Sequence, residues 1–505
     1  MKIVVEAGIK KYFQMRKFKY QIWKKNALDT QEFILFDLLN TAKYTKFGKE
    51  FNFEEISDYE DFKKNVPISN YEEIYPYIQK MLDGEHDILW PGFTSFFSRS
   101  SGTTNDVSKY IPVSHDALYK NIYVAGKDIY TIFFDNYPDS DIFKNNGSVL
   151  SLGGSLSPVN EKGIRVGDVS AVMMSQLPKW AAKYRQPTLD IALMSEWKSK
   201  IPAILDDVKG KNITHILGVP TWFISLFEEA KKQNKTNTLQ DIFPNIELFF
   251  HGAVAFEPYR QIFENLFPQK NMKYMEAYNA SEGFFAIQDD PEKNGEMLLL
   301  TDHGIFYEFI KMDEYGMKNQ TTINLSNISI GVDYAMIIST NAGLWRYDIG
   351  DTIQFTSVDP YRIKISGRTK HFINVFGEEL MVGNTDAALS FVCKKHNVQI
   401  ENYTAGPIFM NKQGKGGHEW IIEFKNDPQN LGDFIIDLDS ELQNVNSDYK
   451  AKRQDDIALQ CLKLHAVPAK TFMKWMEGRG KLGAQNKVPR LSNRRRFIEE
   501  ILNIL

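Results

Sequence analysis

Apolar positions recur at helical spacing through most of the first 90 residues. Phe33 and Phe36, Ile34 and Leu38, and Leu35 and Leu39 are pairs three or four apart, a density that predicts a helix buried on most of its surface. Pro67-Ile-Ser69 interrupts the pattern before a second helix over 71–82. The β-prone run Phe93-Thr-Ser-Phe-Phe-Ser98 then enters a small polar loop, Arg99-Ser-Ser-Gly-Thr-Thr104. Residues 115–134 return to helical spacing, with Tyr119, Tyr123 and Tyr130 along them.

Short strand-like runs follow in alternation with helices. Residues 148–152 lead into Gly153-Gly154, 214–219 into Pro220, 246–250 into His251-Gly252, and 272–277 into Tyr278-Asn279. Such alternation predicts an α/β sheet with ligand loops at its strand ends. From about residue 295 the chain is strand-rich, at 297–300, 304–310 and 334–339. Beyond Gly377, strands at 417–424 and 462–467 flank a helix near 429–445. The expected architecture is therefore α/β: a large N-terminal domain, 1–370, of β-sheets and packed helices, and a small C-terminal α+β domain, 371–505, beyond a hinge near 368–378.

Composition narrows the class. A chain of 505 residues exceeds one ordinary core, and 43% hydrophobic with 25% charged residues is normal for a globular protein. A net charge of -4 argues against a nucleic-acid binder. The basic stretches at 10–25 and at Arg494-Arg495-Arg496 alternate with apolar residues and read as solvated helix faces, with a membrane-surface role for the first helix as the alternative. No window approaches the roughly 20 apolar residues of a membrane span. The basic N-terminus lacks the apolar stretch and cleavage site of a secretory signal. Cys393 and Cys461, the only cysteines, cannot build a disulfide scaffold or a common zinc site, which fits a reducing, cytoplasmic location. A monomer is the default assembly. Aromatics at 13% fill a core or line a pocket for a flat ligand; Tyr119, Tyr123, residues 172–174 and Trp222 are candidates for either role.

Five segments carry chemistry. In Ser98-Arg-Ser100-Ser101-Gly102-Thr103-Thr104-Asn-Asp-Val-Ser-Lys109, small hydroxylated residues around a glycine let backbone N–H groups and hydroxyls converge on phosphate oxygens, and Lys109 adds a cation. The spacing is not that of the Walker loop, and a plain turn has the same composition. Glu276-Ala-Tyr278-Asn-Ala-Ser281-Glu282-Gly283 places an aromatic ring, a hydroxyl and a carboxylate together, suited to a nucleobase and Mg²⁺, or to a helix start capped by Asn279 or Ser281. Gly343-Leu-Trp-Arg346-Tyr-Asp-Ile-Gly350-Asp351 sets a carboxylate at a tight turn, where it can bind two ribose hydroxyls or simply cap the turn. Ser366-Gly-Arg368-Thr-Lys370 puts two cations on one side of a strand, ahead of Gly377. Gly483-Ala-Gln485-Asn-Lys487-Val-Pro489-Arg490 holds a lysine in a loop stiffened by proline.

In their order these segments resemble the adenylate-forming superfamily of acyl-CoA ligases, luciferases and adenylation domains, and within it the Gretchen Hagen acyl-acid amido synthetases of plants and their bacterial relatives. The long loop to Lys109, with Asn105 where a glycine is usual, and the tail Gln485-x-Lys487-x-Pro489-Arg490 are most like that branch. The resemblance spans about 95–490. It implies a large adenylate-forming domain with a small mobile lid that rotates between two half-reactions. It also implies an AMP-forming ligase that uses ATP and Mg²⁺ to activate a small carboxylic acid and passes the acyl group to an amine such as an amino acid. By the same resemblance Ser100, Ser101, Gly102, Thr103, Thr104 and Lys109 would hold phosphates. Gly252 and Ala253, in a loop similar to the adenine-side loop, would lie by the base, with Tyr278 and Ser281 beside the adenylate. Glu282 would bind the metal and Asp351 the ribose, while Arg368 would lie near the ribose and phosphate after domain closure and Lys487 would reach the reacting α-phosphate and carboxylate. His251 and water are open as the base for the amine. A thioester ligase using coenzyme A, and a nucleotide-binding protein without turnover, are the alternative functions.

Overall fold

The structure, a computed structural model, describes residues 2–100, 109–253, 256–268, 272–369, 372–373, 380–408, 416–446, 449–450, 453, 459–480, 488–492 and 495–505. Among them the chain divides into two compact units. One runs to Ile349 and takes in Gln354–Lys364; the other takes in Gly350–Ile353 and Ile365–Leu505.

Helices open the first unit: Lys2–Lys25, Ala27–Ala42, Lys46–Glu50, Tyr59–Asn65 and Tyr71–Leu82. The last begins at a capping box in which Asn70 accepts from the Glu73 N–H and Glu73 accepts from the Asn70 N–H. Helix Ala27–Ala42 corrects one expectation. It buries Ile34, Leu35, Leu38 and Leu39, but Phe33 is 65% exposed, so the helix has one core face rather than burial all round. The first helix buries Phe13, Tyr20 and Trp23 against helix Tyr123–Asn136. There Arg16 donates to Asp128 at 2.5 and 3.1 Å, and His303 Nε2 lies 2.9 Å from the same carboxylate. Burial alone would raise the Asp128 carboxyl, but the bonds from His303 and Arg16 outweigh it and hold it below the usual range.

A mixed sheet carries the candidate site. Its strand order is Ile305–Lys311, Asp333–Thr340, Tyr347–Val358, Tyr361–Arg368, Met297–Leu299, Gly283–Ile287, Lys273–Ala280, Leu248–Gly252, Ile213–Gly218, Ser148–Ser151 and Arg185–Gln186. The five from Lys273–Ala280 to Arg185–Gln186 pair in parallel; four of them match the runs that alternate with helices in the sequence, and Arg185–Gln186 was not anticipated. From Ser148–Ser151 the chain goes first to Arg185–Gln186 on one side and then to Ile213–Gly218 on the other, which makes this strand the switch point of the parallel section. Lys273–Ala280 then turns back antiparallel into Gly283–Ile287. A smaller sheet pairs Phe96–Ser100 with Lys109–Val113 and Arg165–Gly167.

In the second unit strands Gln399–Ile408, Gly417–Asn426 and Lys463–Val467 form a sheet, and helices Val382–His396 and Leu431–Val445 contribute to its core. Tyr403 and Trp420 stack in that core with ring centres 5.6 Å apart. Lys370 and Gly377 lie outside the described residues.

Candidate functional site

The strands on either side of the Ser/Thr/Gly segment pair with each other. Strand Phe96–Ser100 pairs antiparallel with Lys109–Val113, and the register sets Ser100 opposite Lys109. Ser101, Gly102, Thr103 and Thr104 lie outside the described residues. The second strand was not anticipated; its alternation is short and contains Pro112.

Lys109 sits among aromatic residues. Its ammonium donates to the Tyr347 hydroxyl at 3.3 Å and lies 5.4 Å from the centre of the Tyr71 ring. Tyr71 is tied to the same strand, since its hydroxyl accepts from the Tyr110 N–H at 2.8 Å. The Tyr347 phenol is held well above its ordinary value, first by burial and then by the charges of Glu282 and Asp348. Its hydroxyl therefore stays protonated and accepts from the Lys109 ammonium. Lys109, Tyr347 and Glu282 thus share one electrostatic neighbourhood.

Ser281 and Glu282 form the turn between Lys273–Ala280 and Gly283–Ile287, not a helix start. Asn121 pins the far side of the turn: it accepts from the Phe284 N–H at 2.8 Å and donates to the Phe284 and His303 carbonyls at 3.0 and 2.9 Å. Tyr278, buried on the preceding strand, packs its ring 4.9 Å from that of Phe285. On the neighbouring strand Gly252 pairs with Ala277, and a Cβ at Gly252 would lie 2.4 Å from the Ala277 carbonyl oxygen, so only glycine fits. Ala253 follows with φ +70°, an uncommon conformation for a residue with a side chain. His251 is stacked 4.1 Å from Phe256, and burial followed by the Arg260 charge pushes its imidazole down to about 3. A group so reluctant to take a proton is a poor base for an ammonium substrate.

Among the described residues no group of three or more His, Cys, Asp or Glu side chains could hold a metal alone. Glu282 fits the mode in which Mg²⁺ takes one or two carboxylates and completes its shell with substrate phosphates and water.

Asp351 and Arg368 belong to the second unit and are ion-paired at 2.8 Å, with the carboxylate side chain 5% and the guanidinium 43% exposed. Asp351 stands within strand Tyr347–Val358 rather than at the tight turn expected of it; Gly350 before it has φ +82°, and its carbonyl accepts from the Thr369 N–H at 2.9 Å. Lys487 lies outside the described residues, two positions before Pro489. The Pro489 carbonyl accepts from Thr404 Oγ1 at 2.6 Å, and Ala405 N donates to the Arg490 carbonyl at 2.8 Å.

The sequence had not singled out Tyr71 or Tyr347 for a role, and Arg346 stood within a motif with no function assigned to it. Arg346 is a buried anchor: Nε and Nη2 donate to Glu308 at 2.9 and 3.0 Å, Nη1 to the Lys63 and Val66 carbonyls at 3.0 and 2.7 Å, and Nη2 also to Thr322 at 2.6 Å.

Several known proteins are similar to the chain along most of its length. An indole-3-acetic acid-amido synthetase of Arabidopsis thaliana, GH3.4, is 21% identical over 92% of this chain and 89% of its own length. A 4-substituted benzoates-glutamate ligase of the same plant, GH3.12, is 22% identical over 92% and 93%. Among solved structures, the GH3.15 acyl acid amido synthetase superposes with a TM-score of 0.77 over 96% of this chain and 95% of its own at 16% identity. A 2-hydroxyisobutyryl-CoA ligase in its postadenylation state gives 0.61 over 94% and 91% at 12% identity. Both structures share the fold. No helix among the described residues is long and apolar enough to cross a membrane. The GH3 family N-terminal domain matches 16–272, the central domain 298–368 and the C-terminal domain 384–496, and the chain belongs to the GH3 family.

Proposed function

We propose that this chain is an ATP-dependent acyl-acid amido synthetase that converts a small carboxylic acid to its acyl-adenylate and transfers the acyl group to an amine, in keeping with the glutamate acceptor in the name of one relative. The observation that carries it within the fold is the Lys109–Tyr347 contact, on which the Glu282 charge also acts, with Lys109 opposite Ser100 in the strand pair that flanks the Ser/Thr/Gly segment.

A carboxylate is already a nucleophile at neutral pH, so the first step needs no base. One of its oxygens attacks the α-phosphorus of ATP, the bond to the β-phosphate oxygen breaks, and pyrophosphate leaves. Two anions must meet, so the protein's work is positioning and charge neutralisation. Lys109 and the donors of residues 100–104 would take the phosphates. Tyr278, Ser281, Gly252 and Ala253 would flank the base and the adenylate, Asp351 the ribose hydroxyls, and Arg368 and Lys487 the reacting phosphate. Mg²⁺ bound through Glu282 would neutralise phosphate charge. In the second step the amine nitrogen, having lost a proton, attacks the acyl carbon and AMP departs. Residues 1–370 are assigned to binding ATP and acid, and residues 371–505 to a lid that changes contacts between the steps. The assigned setting is a cytoplasmic monomer.

The test is ATP–pyrophosphate exchange with a panel of aryl and alkyl acids, comparing the wild type with Lys487→Ala. Acid-dependent exchange that falls about a hundredfold in the variant, equivalent to ~3 kcal/mol of transition-state stabilisation, supports the reading. Retention of wild-type exchange by the variant refutes the role of Lys487. Thioester formation with coenzyme A in place of amide formation refutes the acceptor.

A further inference from the structure

Arg185 is a buried guanidinium that the proposed machinery does not use. It stands on the short strand Arg185–Gln186, opposite Val149 of the switch-point strand Ser148–Ser151. Ser151, two residues beyond Val149, points to the same face. Helix Val169–Ser175 covers that face with Met174, whose Sδ accepts from Ser151 Oγ and from Arg185 Nη1, each at 3.7 Å. Met174 also closes on the glycine pair after the strand, since a Cβ at Gly153 would lie 2.0 Å from its Cε.

The residue is 7% exposed, and its Nε meets no acceptor. A thioether is a weak acceptor for a cation that cannot discard its proton. The Asp207 charge acts on Arg185, but that carboxylate is already engaged by the Thr188 N–H at 3.1 Å and the Lys211 ammonium at 2.8 Å. Buried cations are ordinarily paired or fully hydrogen-bonded: Arg346 has Glu308, and Lys200, beside the same strand end, donates to the Gly153 and Met194 carbonyls at 2.7 and 3.0 Å. Arg185 instead lies with a hydroxyl and a sulfur beside the carboxyl end of the switch-point strand, where ligands enter open α/β sheets.

We propose that the Arg185 guanidinium, with Ser151 Oγ, receives a second carboxylate on the acyl substrate, so that the enzyme selects dicarboxylic acids over monocarboxylic acids of the same size. The inference rests on the adenylation reading for its reacting carboxylate. The anion site itself follows from the fold. A planar fork of donors suits a carboxylate in two-point contact, and Met174, unbranched and adaptable, can swing from the guanidinium when the carboxylate arrives.

The test uses the full-length wild type, Arg185→Met and Arg185→Lys. Thermal unfolding midpoints are recorded without ATP, in the presence of adipate, terephthalate, hexanoate, benzoate or sulfate. ATP–pyrophosphate exchange is then measured with the four organic acids. The expected result is that Arg185→Met unfolds at or above the wild-type midpoint, because a buried charge lacking a hydrogen-bonded carboxylate has been removed. Dicarboxylates should raise the wild-type midpoint but not that of Arg185→Met, and kcat/KM for them should fall roughly 10- to 100-fold while monocarboxylate values hold. Arg185→Lys should recover part of the loss, since it keeps the charge without the fork; if Arg185→Met does not fold, unchanged dicarboxylate preference in Arg185→Lys overturns the proposal. It is also overturned if Arg185→Met is strongly destabilised with unchanged acid preference, which marks a structural arginine. A sulfate shift equal to that of the dicarboxylates, an adventitious ion only, overturns it as well. Exchange with monocarboxylates alone, equal in all three proteins, keeps the proposed function and removes this inference. Arg185-dependent stabilisation by dicarboxylates with no exchange from any acid does the reverse.

Discussion

Replacing Glu308 by Gln tests whether the buried pair under the Gly343–Asp351 segment organises it. Glu308 is almost completely enclosed and accepts from Arg346 Nε and Nη2 at 2.9 and 3.0 Å, from Thr322 at 2.6 Å and from Tyr59 at 3.0 Å. The guanidinium spends its other donors on two main-chain carbonyls and Thr322. Glutamine keeps the shape but removes the charge and turns one acceptor into a donor facing a donor. Breaking a buried pair from one side costs roughly 3–5 kcal/mol, because the remaining charge stays desolvated without its partner. Arg346→Met should cost about the same from the other side. The double variant Glu308→Leu/Arg346→Met should be more stable than either single variant, because an apolar pair of similar volume removes both desolvation penalties. Urea denaturation gives the free energies, and hydrogen exchange over residues 339–351 reports the segment itself. Two single variants that each lose under about 1 kcal/mol would refute the reasoning.

Lys109→Met should reduce exchange about a hundredfold, with a smaller effect on stability, since among the described residues its ammonium meets one hydroxyl and two ring faces; a pyrophosphate-exchange rate within twofold of wild type rules the residue out of phosphate contact. Asp351→Asn should raise KM for ATP roughly 10- to 100-fold through the ribose while leaving the unfolding midpoint little changed, because its partner Arg368 is well solvated; an unchanged KM measured under saturating acid counts against the assignment. Glu276 offers a pH test. Burial first, with the Glu257 charge adding and the Arg260 charge opposing, pushes its carboxyl from 4.5 to about 7. A raised carboxyl binds its proton more tightly folded than unfolded, so stability is lost as pH rises from about 4.5 through about 7, by ~3 kcal/mol. Glu276→Gln should flatten that part of the stability–pH curve and stabilise the protein at pH 8; a variant whose curve parallels the wild type would show that the carboxyl is not perturbed.

The parts of the site that the sequence displayed are those written in local chemistry. Gly350 before Asp351 needs only a positive φ and a short side chain, and Arg368 lies 17 positions on, across the same hairpin. Four of the five parallel strands showed as short apolar runs, and the structure places them within a few residues, whereas the two-residue strand Arg185–Gln186 carries no such run. What stayed hidden depends on partners far away in sequence. Tyr347 meets Lys109 across 238 positions, and nothing near either residue encodes that meeting. Glu282 was ambiguous for a related reason. A polar run with asparagine and serine caps a helix or turns a hairpin equally well, and pairing of Lys273–Ala280 with strands on both sides decides for the hairpin. Phe33 followed the local helical period, but the period cannot say how wide a stripe the neighbours will cover. A lone arginine such as Arg185 ordinarily reads as surface, and only its burial against Met174 sets it apart.

The segment after Lys487 shows how the backbone near a lone lysine is held. Lysine carries a long, flexible stem, and its charge acts on a developing transition state only when the backbone beneath it is held. Two residues after Lys487 the chain is clamped to strand Gln399–Ile408. Thr404 Oγ1 holds the Pro489 carbonyl, Ala405 holds the Arg490 carbonyl, and the Ser492 N–H donates back to the Ala405 carbonyl at 3.1 Å. The Arg490 guanidinium lies 4.5 Å over the Tyr403 ring, whose hydroxyl donates to Asp386 at 2.6 Å. Burial raises the Asp386 carboxyl and the Arg490 charge opposes it, so the tail's arginine and the helix carboxylate stabilise each other. Proline in this sequence needs no donor of its own, because its carbonyl makes the contact and its ring fixes φ. Within Lys487-x-Pro489-Arg490, proline and arginine therefore fix the strand register, and that register leaves the lysine two residues of reach from a fixed point.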